Sequence, residues 1–340
     1  MLVKVLEAFG IAAQGAFTIP IGQGLINKTW KVTTGDKQYI LQKINTQVFA
    51  TPKKIAQNIE LIDEYIKVTM PSYFFVSPLK TQKGESLLVI DDEYYRVFPF
   101  VQGSHTITAT GTAAQAYEAS RQFGMFTKVL CQFNVNKLQL TIPSFHDLTL
   151  RYNQFEFAVK YGNPERIVNA KKLIQDLYAF AHIVKQYEAI KSCHTFKLRV
   201  THHDTKISNV LFDERNEGIC VIDLDTIMPG YFISDVGDMM RTYLCAATEE
   251  ETDFSKIEIR QSFYKAIQAG YMEEMNGMLT QNEIAAFHYA GQFMIYMQAL
   301  RFATDYLQTD IYYGAHYPNH NLYRALNQVI LLKQYIRVCT

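Results

Sequence analysis

The 340-residue sequence predicts an α+β fold, with a small β-rich N-terminal lobe followed by a larger, mainly helical C-terminal lobe. Three observations carry that prediction. Two β-rich runs meet at a tight turn near residue 35, helical periodicity takes over beyond Gly103, and short strand-like runs interrupt the helices only around residues 198–223. The lobe boundary falls near residues 99–103, giving expected domains 1–101 and 102–340.

Residues 1–14 read as a short amphipathic helix, because Lys4 and Glu7 interrupt any signal-peptide-like apolar run. Residues 29–34 and 38–44 are strands joined through Thr34-Gly35-Asp36-Lys37, a hairpin turn. Thr51 supplies an N-cap and Pro52 a first-turn proline, and Ile55, Ile59, Ile62 and Ile66 follow at helical spacing, predicting a helix over 52–67. Strands are expected at 86–90 and 94–98, the second ending at Pro99. Ala116, Ala119, Phe123, Phe126 and Leu130 form one buried helical stripe. Asn163-Pro164 is expected to cap one long helix reaching residue 190, with Ile167, Leu173, Leu177, Phe180 and Val184 inward. Short strands at 198–201, 209–213 and 219–223 precede helices that resume near residue 234.

At 48% hydrophobic and 19% charged residues, the composition is that of a soluble globular protein with ample core. Lys+Arg and Asp+Glu both total 33, so no global field recruits nucleic acid or an anionic membrane. Five scattered cysteines without a CxxC pair fit reduced thiols better than a disulfide or zinc framework. No apolar stretch reaches the roughly 18–20 residues a membrane span needs, so a cytoplasmic location is expected. No protein partner is indicated.

The chemistry concentrates in residues 202–225. His202 stands two before Asp204, and Asn209 five after it. A strand and turn then lead to Val221-Ile222-Asp223-Leu224-Asp225, where a carboxylate ends an apolar run. This is the spacing of a kinase catalytic loop: Asp204 would accept a hydroxyl proton, and Asn209 and Asp223 would coordinate Mg²⁺. Lys206 and Asp225 are supporting candidates. For the nucleotide, Gly22-Gln23-Gly24-Leu25-Ile26-Asn27 offers two glycines where backbone could approach phosphates, and no Walker A motif exists. The phosphate-gripping residue comes from Tyr39-Ile40-Leu41-Gln42-Lys43-Ile44. Lys43 is the chemical choice and Gln42 the alternative, since strand neighbours face opposite ways. Its partner acid is expected on the 52–67 helix, where Glu60 and Glu64 share a face, with Glu60 preferred. Pro99, Phe100 and Val101 form the expected hinge against adenine.

These residues resemble the catalytic core of the aminoglycoside phosphotransferase/choline kinase superfamily, which implies a two-lobed protein-kinase-like fold and use of ATP with Mg²⁺. Ile222-Asp223-Leu224-Asp225 matches the Ile-Asp-x-Glu/Asp that members carry, and Asp235-Val236-Gly237-Asp238 the next aspartate-glycine element. The resemblance implies that Asp235 braces the catalytic loop. Further stretches resemble N-acetylhexosamine 1-kinases: Phe145-His146-Asp147 with Arg151-Tyr152, His202–Asn209 with the Leu-Asp-Thr-x-Met-Pro-Gly run from Leu224, and Leu300–Leu307 with Asp310-Ile311-Tyr312-Tyr313. His203 stands where asparagine is expected in that family. The implied substrate is a small-molecule sugar, with His203, His146, Arg151, Arg301 and Asp305 as candidate contacts. Residues 1–100 hold 11 Lys+Arg and 9 Asp+Glu, which leaves the larger lobe close to neutral and poorly matched to polycationic aminoglycosides. Choline or ethanolamine remains the alternative acceptor, and a catalytically silent nucleotide sensor the alternative class.

Overall fold

The computed structural model describes residues 1–21 and 26–339. They form a mixed α+β protein with a β-sheet N-terminal region and a helical C-terminal region. The chain falls into two compact units. The first comprises Met1–His105, Gln132–Pro143 and Leu211–Pro229; the second comprises Thr106–Cys131, Ser144–Val210 and Gly230–Thr340.

In the first unit, helix α1 (Leu2–Ala8) precedes strands β1 (Phe17–Pro20), β2 (Lys28–Thr34) and β3 (Lys37–Lys43). Helix α2 (Pro52–Thr69) and strands β4 (Leu88–Ile90) and β5 (Glu93–Pro99) follow. The sheet is antiparallel with order β1-β2-β3-β5-β4. The hairpin expected between β2 and β3 forms: Thr34 opposes Lys37, and Gly35 takes a φ of 59° that a side chain would disfavour. Side-chain alternation then gives the sheet two faces. Val32, Leu41, Tyr95 and Val97 are buried in one cluster with Val5 and Leu6 of α1. Gln42 lies opposite Thr29 and Arg96 in the register, and the three side chains meet on the other face.

Helix α2 buries Ile55, Ile59, Ile62 and Ile66, the predicted stripe. Pro52 sits in its first turn as expected, whereas the Thr51 side chain makes no capping hydrogen bond. Asn58 is fully buried on the same helix. Its amide donates to the carbonyls of Gln139 (2.8 Å) and Ile227 (2.9 Å) and accepts from the Gln139 N–H (2.8 Å). Two segments distant in sequence are thereby fastened to α2. Strand β1 escapes sequence reading because its four residues lack an alternating burial pattern.

The second unit is helical. It contains α3 (Ala113–Val129), α4 (Leu148–Tyr161), α5 (Pro164–Asn169), α6 (Lys171–Ala179) and α7 (His182–Ser192). After a short strand, Arg199–Thr201, come α8 (Phe232–Tyr243), α9 (Gln261–Met275), α10 (Gln281–Ala285), α11 (Phe287–Leu307) and α12 (His320–Val338). Helix α11 is apolar on nearly every side, the pattern of a central helix, and packs against α4, α8 and α12. No helix among the described residues is long and apolar enough to cross a membrane.

The single helix expected between Pro164 and Ile190 is instead three. Asn163 caps the first as predicted, accepting from the Arg166 N–H. The chain then turns at Ala170 and Phe180, where ψ rises to about 9° and 8° without any glycine or proline to signal it. Tyrosines of α11 stabilise the second interruption: Tyr296 donates to the Leu177 carbonyl and Tyr289 to that of Ile183, both at 2.8 Å. Helix α4 carries no periodic signal in the sequence, because it buries only Leu148, Phe155 and Ala158, too sparse a stripe to read.

The Gly237 of the aspartate-glycine element has a packing reason. A Cβ built there would stand 2.4 Å from the Ala290 carbonyl oxygen of α11. Only glycine allows α8 to lie this close to α11. Gly237→Ala is therefore expected to lower the unfolding free energy by about 1–3 kcal/mol, read as a shift of the urea midpoint at constant slope.

Candidate active site

The loop 202–209 has irregular backbone and relies on side chains for its hydrogen bonds. Helix α8 provides them. Asp235 accepts the N–H of His202 (3.0 Å) and of His203 (2.8 Å), and Asp238 accepts that of Thr205 (2.8 Å). The Thr205 hydroxyl donates to the Asp235 carbonyl, and Tyr243 donates to the Thr205 carbonyl. His202 is fully buried, edge-on to Phe123 and Phe126. Asp204 is thus gripped on both sides while its own carboxylate keeps 24% side-chain exposure. Asn209 donates to the Asp204 carbonyl (2.9 Å) and carboxylate (3.1 Å), and Lys206 stands 3.1 Å from the same carboxylate oxygen.

His203 adopts a left-handed φ of 65°. Asparagine and histidine are both enriched in that region, so the departure from the expected asparagine keeps the backbone geometry. The imidazole needs room, and Gly230 provides it: a Cβ there would lie 2.6 Å from His203 Nε2. The ring meets His146 edge-on at 5.1 Å, and His146 stacks on Phe145 at 4.5 Å. Burial, with His203 and Arg301 nearby, pushes the His146 pKa well below its ordinary value. Its Nδ1 is buried with no hydrogen-bond partner among the described residues.

From Phe145 the site continues to Arg301, whose guanidinium lies 6.0 Å from the Phe145 ring, 5.7 Å from Tyr312 and 5.5 Å from Tyr313. A cavity of about 420 Å³ opens here, with Arg151, Arg301, Asp305, Tyr312 and Tyr313 in its wall. Arg151 donates to the Ser144 carbonyl and Gln154, and its Nε is buried without a partner among the described residues. Asp305 lies only 3% exposed. Its carboxylate accepts the N–H of Tyr312 (2.7 Å), the N–H of Tyr313 (2.9 Å) and the Asn321 amide (3.1 Å). It shapes the wall through these bonds and does not pair with Arg301.

A partly buried polar chain, which sequence reading missed, links this wall to the 202–209 loop. Asn321 accepts from Arg324, Arg324 meets Glu249, and Glu249 accepts from Arg241 (3.0 Å), which also donates to Asp238 (3.1 Å). Burial raises the Glu249 pKa, but Arg241 and Arg324 outweigh it and hold the carboxyl below its usual range. These residues carry no motif spacing, so only folding brings them together.

In the first unit, Asn27 and Asp225 are joined. The Asn27 amide donates to Asp225 Oδ2 (2.6 Å) and accepts the Asn45 N–H (3.0 Å). Arg96, which sequence reading did not single out, lies 2.5 Å from Asp225 Oδ1 and donates to Gln42 (2.9 Å). Lys43 is elsewhere: its partner is Glu93 on the neighbouring strand, and Glu60 pairs with Lys80. The expected Lys43–Glu60 pair is not formed, because Lys43 shares the sheet face of Leu41 and Tyr95, which α1 covers. Asp223 takes a left-handed φ of 61° just before the 3₁₀ turn Leu224–Thr226. At the expected hinge, Pro99 opposes Tyr39, the Phe100 N–H is bonded to the Gln38 carbonyl, and the Val101 carbonyl accepts from Ser104. Gly22 and Gly24 lie outside the described residues.

The profile of the phosphotransferase enzyme family matches residues 18–272, three quarters of the chain. The protein belongs to that family. This phosphotransferase, an enzyme acting on a hydroxyl group, has a fold shared with solved kinases. A microcompartment-associated aminopropanol kinase superposes with a TM-score of 0.68 at 14% identity, covering 99% of this chain and 98% of that one. A spectinomycin phosphotransferase in complex with ADP and spectinomycin gives 0.61 at 14%, covering 99% and 97%. An ethanolamine kinase from Plasmodium vivax gives 0.57 at 14%, covering 93% and 82%. At these identities the likeness concerns the protein-kinase-like fold.

The bracing of the phosphotransferase loop is directly testable. Burial pushes the Asp235 carboxyl up to about 6, opposed by the neighbouring His202 side chain and by the two backbone N–H groups it accepts. Asp235→Asn presents an NH₂ where one N–H now donates, at a cost of about 1–3 kcal/mol. Faster amide hydrogen exchange at His202 and His203, with slower turnover, is the expected result.

Proposed function

We propose that this phosphotransferase transfers the γ-phosphoryl group of ATP to the anomeric hydroxyl of an N-acetylhexosamine, N-acetylglucosamine or N-acetylgalactosamine, giving the sugar 1-phosphate and ADP. The observation that carries the acceptor class is the cavity wall. The Arg301 guanidinium stands within 6.0 Å of the Phe145, Tyr312 and Tyr313 rings, and Arg151 stands in the same wall. Two guanidiniums disfavour a quaternary ammonium or polycationic acceptor and suit hydroxyls and an acetamido carbonyl. A choline-type site would instead leave its aromatic faces to the ligand.

Asp204 is the proposed base. It takes the proton of the acceptor hydroxyl as that oxygen bonds to phosphorus, while the bond to the β–γ bridging oxygen breaks and ADP leaves. Lys206 offsets negative charge beside it. The hard oxygen donors of Asn209 and Asp223 suit Mg²⁺, with Asp225 in support. When bound, that ion neutralises charge on the phosphate oxygens.

ADP release with Mg²⁺-ATP across acetylated hexosamines, plain hexoses, choline, ethanolamine and kanamycin decides between acceptors. Turnover is expected with an acetylated hexosamine; turnover with choline or ethanolamine alone overturns the sugar reading, and silence throughout favours a nucleotide sensor. Asp204→Asn should lower kcat by about 10²- to 10⁴-fold with nucleotide affinity retained. A variant as active as the parent would remove Asp204 from the reaction. Asp305→Asn, by loosening the Tyr312-Tyr313 turn, should raise the acceptor KM several-fold, to roughly the extent of one lost charged hydrogen bond, and leave the ATP KM alone.

A further inference from the structure

The kinase-like reading calls for a cation on β3 to grip the nucleotide phosphates, and the structure puts none there on the face that meets Asp225. Gln42 occupies that face, and Lys43 points to the opposite one, paired with Glu93. The cation on this face comes from the neighbouring strand. Arg96 of β5 is directly opposite Gln42 in the register and is 2% exposed.

The donors of Arg96 are unevenly used. Nε donates to Gln42 Oε1 at 2.9 Å, and Nη1 lies 2.5 Å from Asp225 Oδ1. That contact is an ion pair, and Nη2 is buried without an acidic partner; neither Nη nitrogen has a hydrogen-bond partner among the described residues. The other Asp225 oxygen is held by Asn27, itself fastened to the Asn45 backbone. The guanidinium is therefore held by one hydrogen bond through Nε and one ion pair through Nη1, and the Nη2 donors face neither anchor. Leaving a charged donor unsatisfied in a buried site is costly, and a phosphate oxygen is the partner that best matches a planar guanidinium.

We propose that Arg96, in place of a β3 lysine, grips a phosphate oxygen of the nucleotide through Nη2, with Asp225 and Gln42 as its anchors. The cation has moved one strand across the sheet while keeping its face. Asp225 then acts first as a positioning residue for Arg96. The assignment rests on the ATP reading above.

Calorimetric binding of Mg²⁺ with a non-hydrolysable ATP analogue, and of adenosine alone, tests it. Arg96→Met should weaken the analogue about tenfold or more and leave adenosine affinity unchanged. Adding Gln42→Lys to that variant should restore most of the loss, because it returns a cation to the same face. Unchanged analogue affinity in Arg96→Met, or a comparable loss in Lys43→Met, overturns the proposal while nucleotide use stands. A parent protein that binds neither ligand overturns nucleotide use and the proposal together. Arg96→Met leaves the Asp225 carboxylate uncompensated, so its folding is checked by thermal melting. The parent protein crystallised with the analogue gives an independent answer. Nη2 within about 3.2 Å of a phosphate oxygen supports the assignment, and phosphates held by Lys43 with Arg96 confined to Asp225 refute it.

Discussion

The grip of two α8 carboxylates on the backbone of the 202–209 loop is the interaction on which the rest of the second unit depends. A loop with irregular backbone cannot use regular helix or strand bonds, so its N–H groups need other acceptors. Asp235 and Asp238 supply them at His202, His203 and Thr205. Burying carboxylates is expensive, and burial is the leading cause of the upward pKa displacement of both. His202 and the backbone donors offset that cost for Asp235, and Arg241 and the Thr205 N–H offset it for Asp238. The arrangement holds only while α8 stays in place, and α8 is located by the glycine contact with α11. Packing, helix position and loop geometry thus form one dependency.

The same framework extends to the cavity. Asp238, Arg241, Glu249, Arg324, Asn321 and Asp305 are linked in sequence by hydrogen bonds or ion pairs, ending at the Tyr312 and Tyr313 backbone. Partly buried polar networks of this kind help to define geometry. Asp305, whose position suggests a substrate ligand, serves the wall from behind. Arg301 instead stands among aromatic rings, which gives the cavity its cationic, apolar-flanked character.

In the first unit the governing constraint is the two-residue period of a strand. It assigns Lys43 to the α1 side with Glu93 and gives the Asp225 side to Gln42 and Arg96. One step of register separates two different electrostatic sites.

The sequence by itself determined whatever is set by near neighbours. Alternation marked β2 and β3, four isoleucines marked α2, and the spacing of His202, Asp204, Asn209 and Asp223 pointed to the phosphotransferase class. The choice between Lys43 and Gln42 stayed open, since both lie on one strand. Tertiary structure decided the partners. Asn27 meets Asp225 across 198 positions, and Lys43 meets Glu93 across 50. It also broke the expected 164–190 helix, through tyrosines more than a hundred residues away. Periodicity is a local property of the backbone and can be read from a short window. The partner of a long charged side chain depends on which distant segment folding delivers to the same face, and no window of the sequence contains that information.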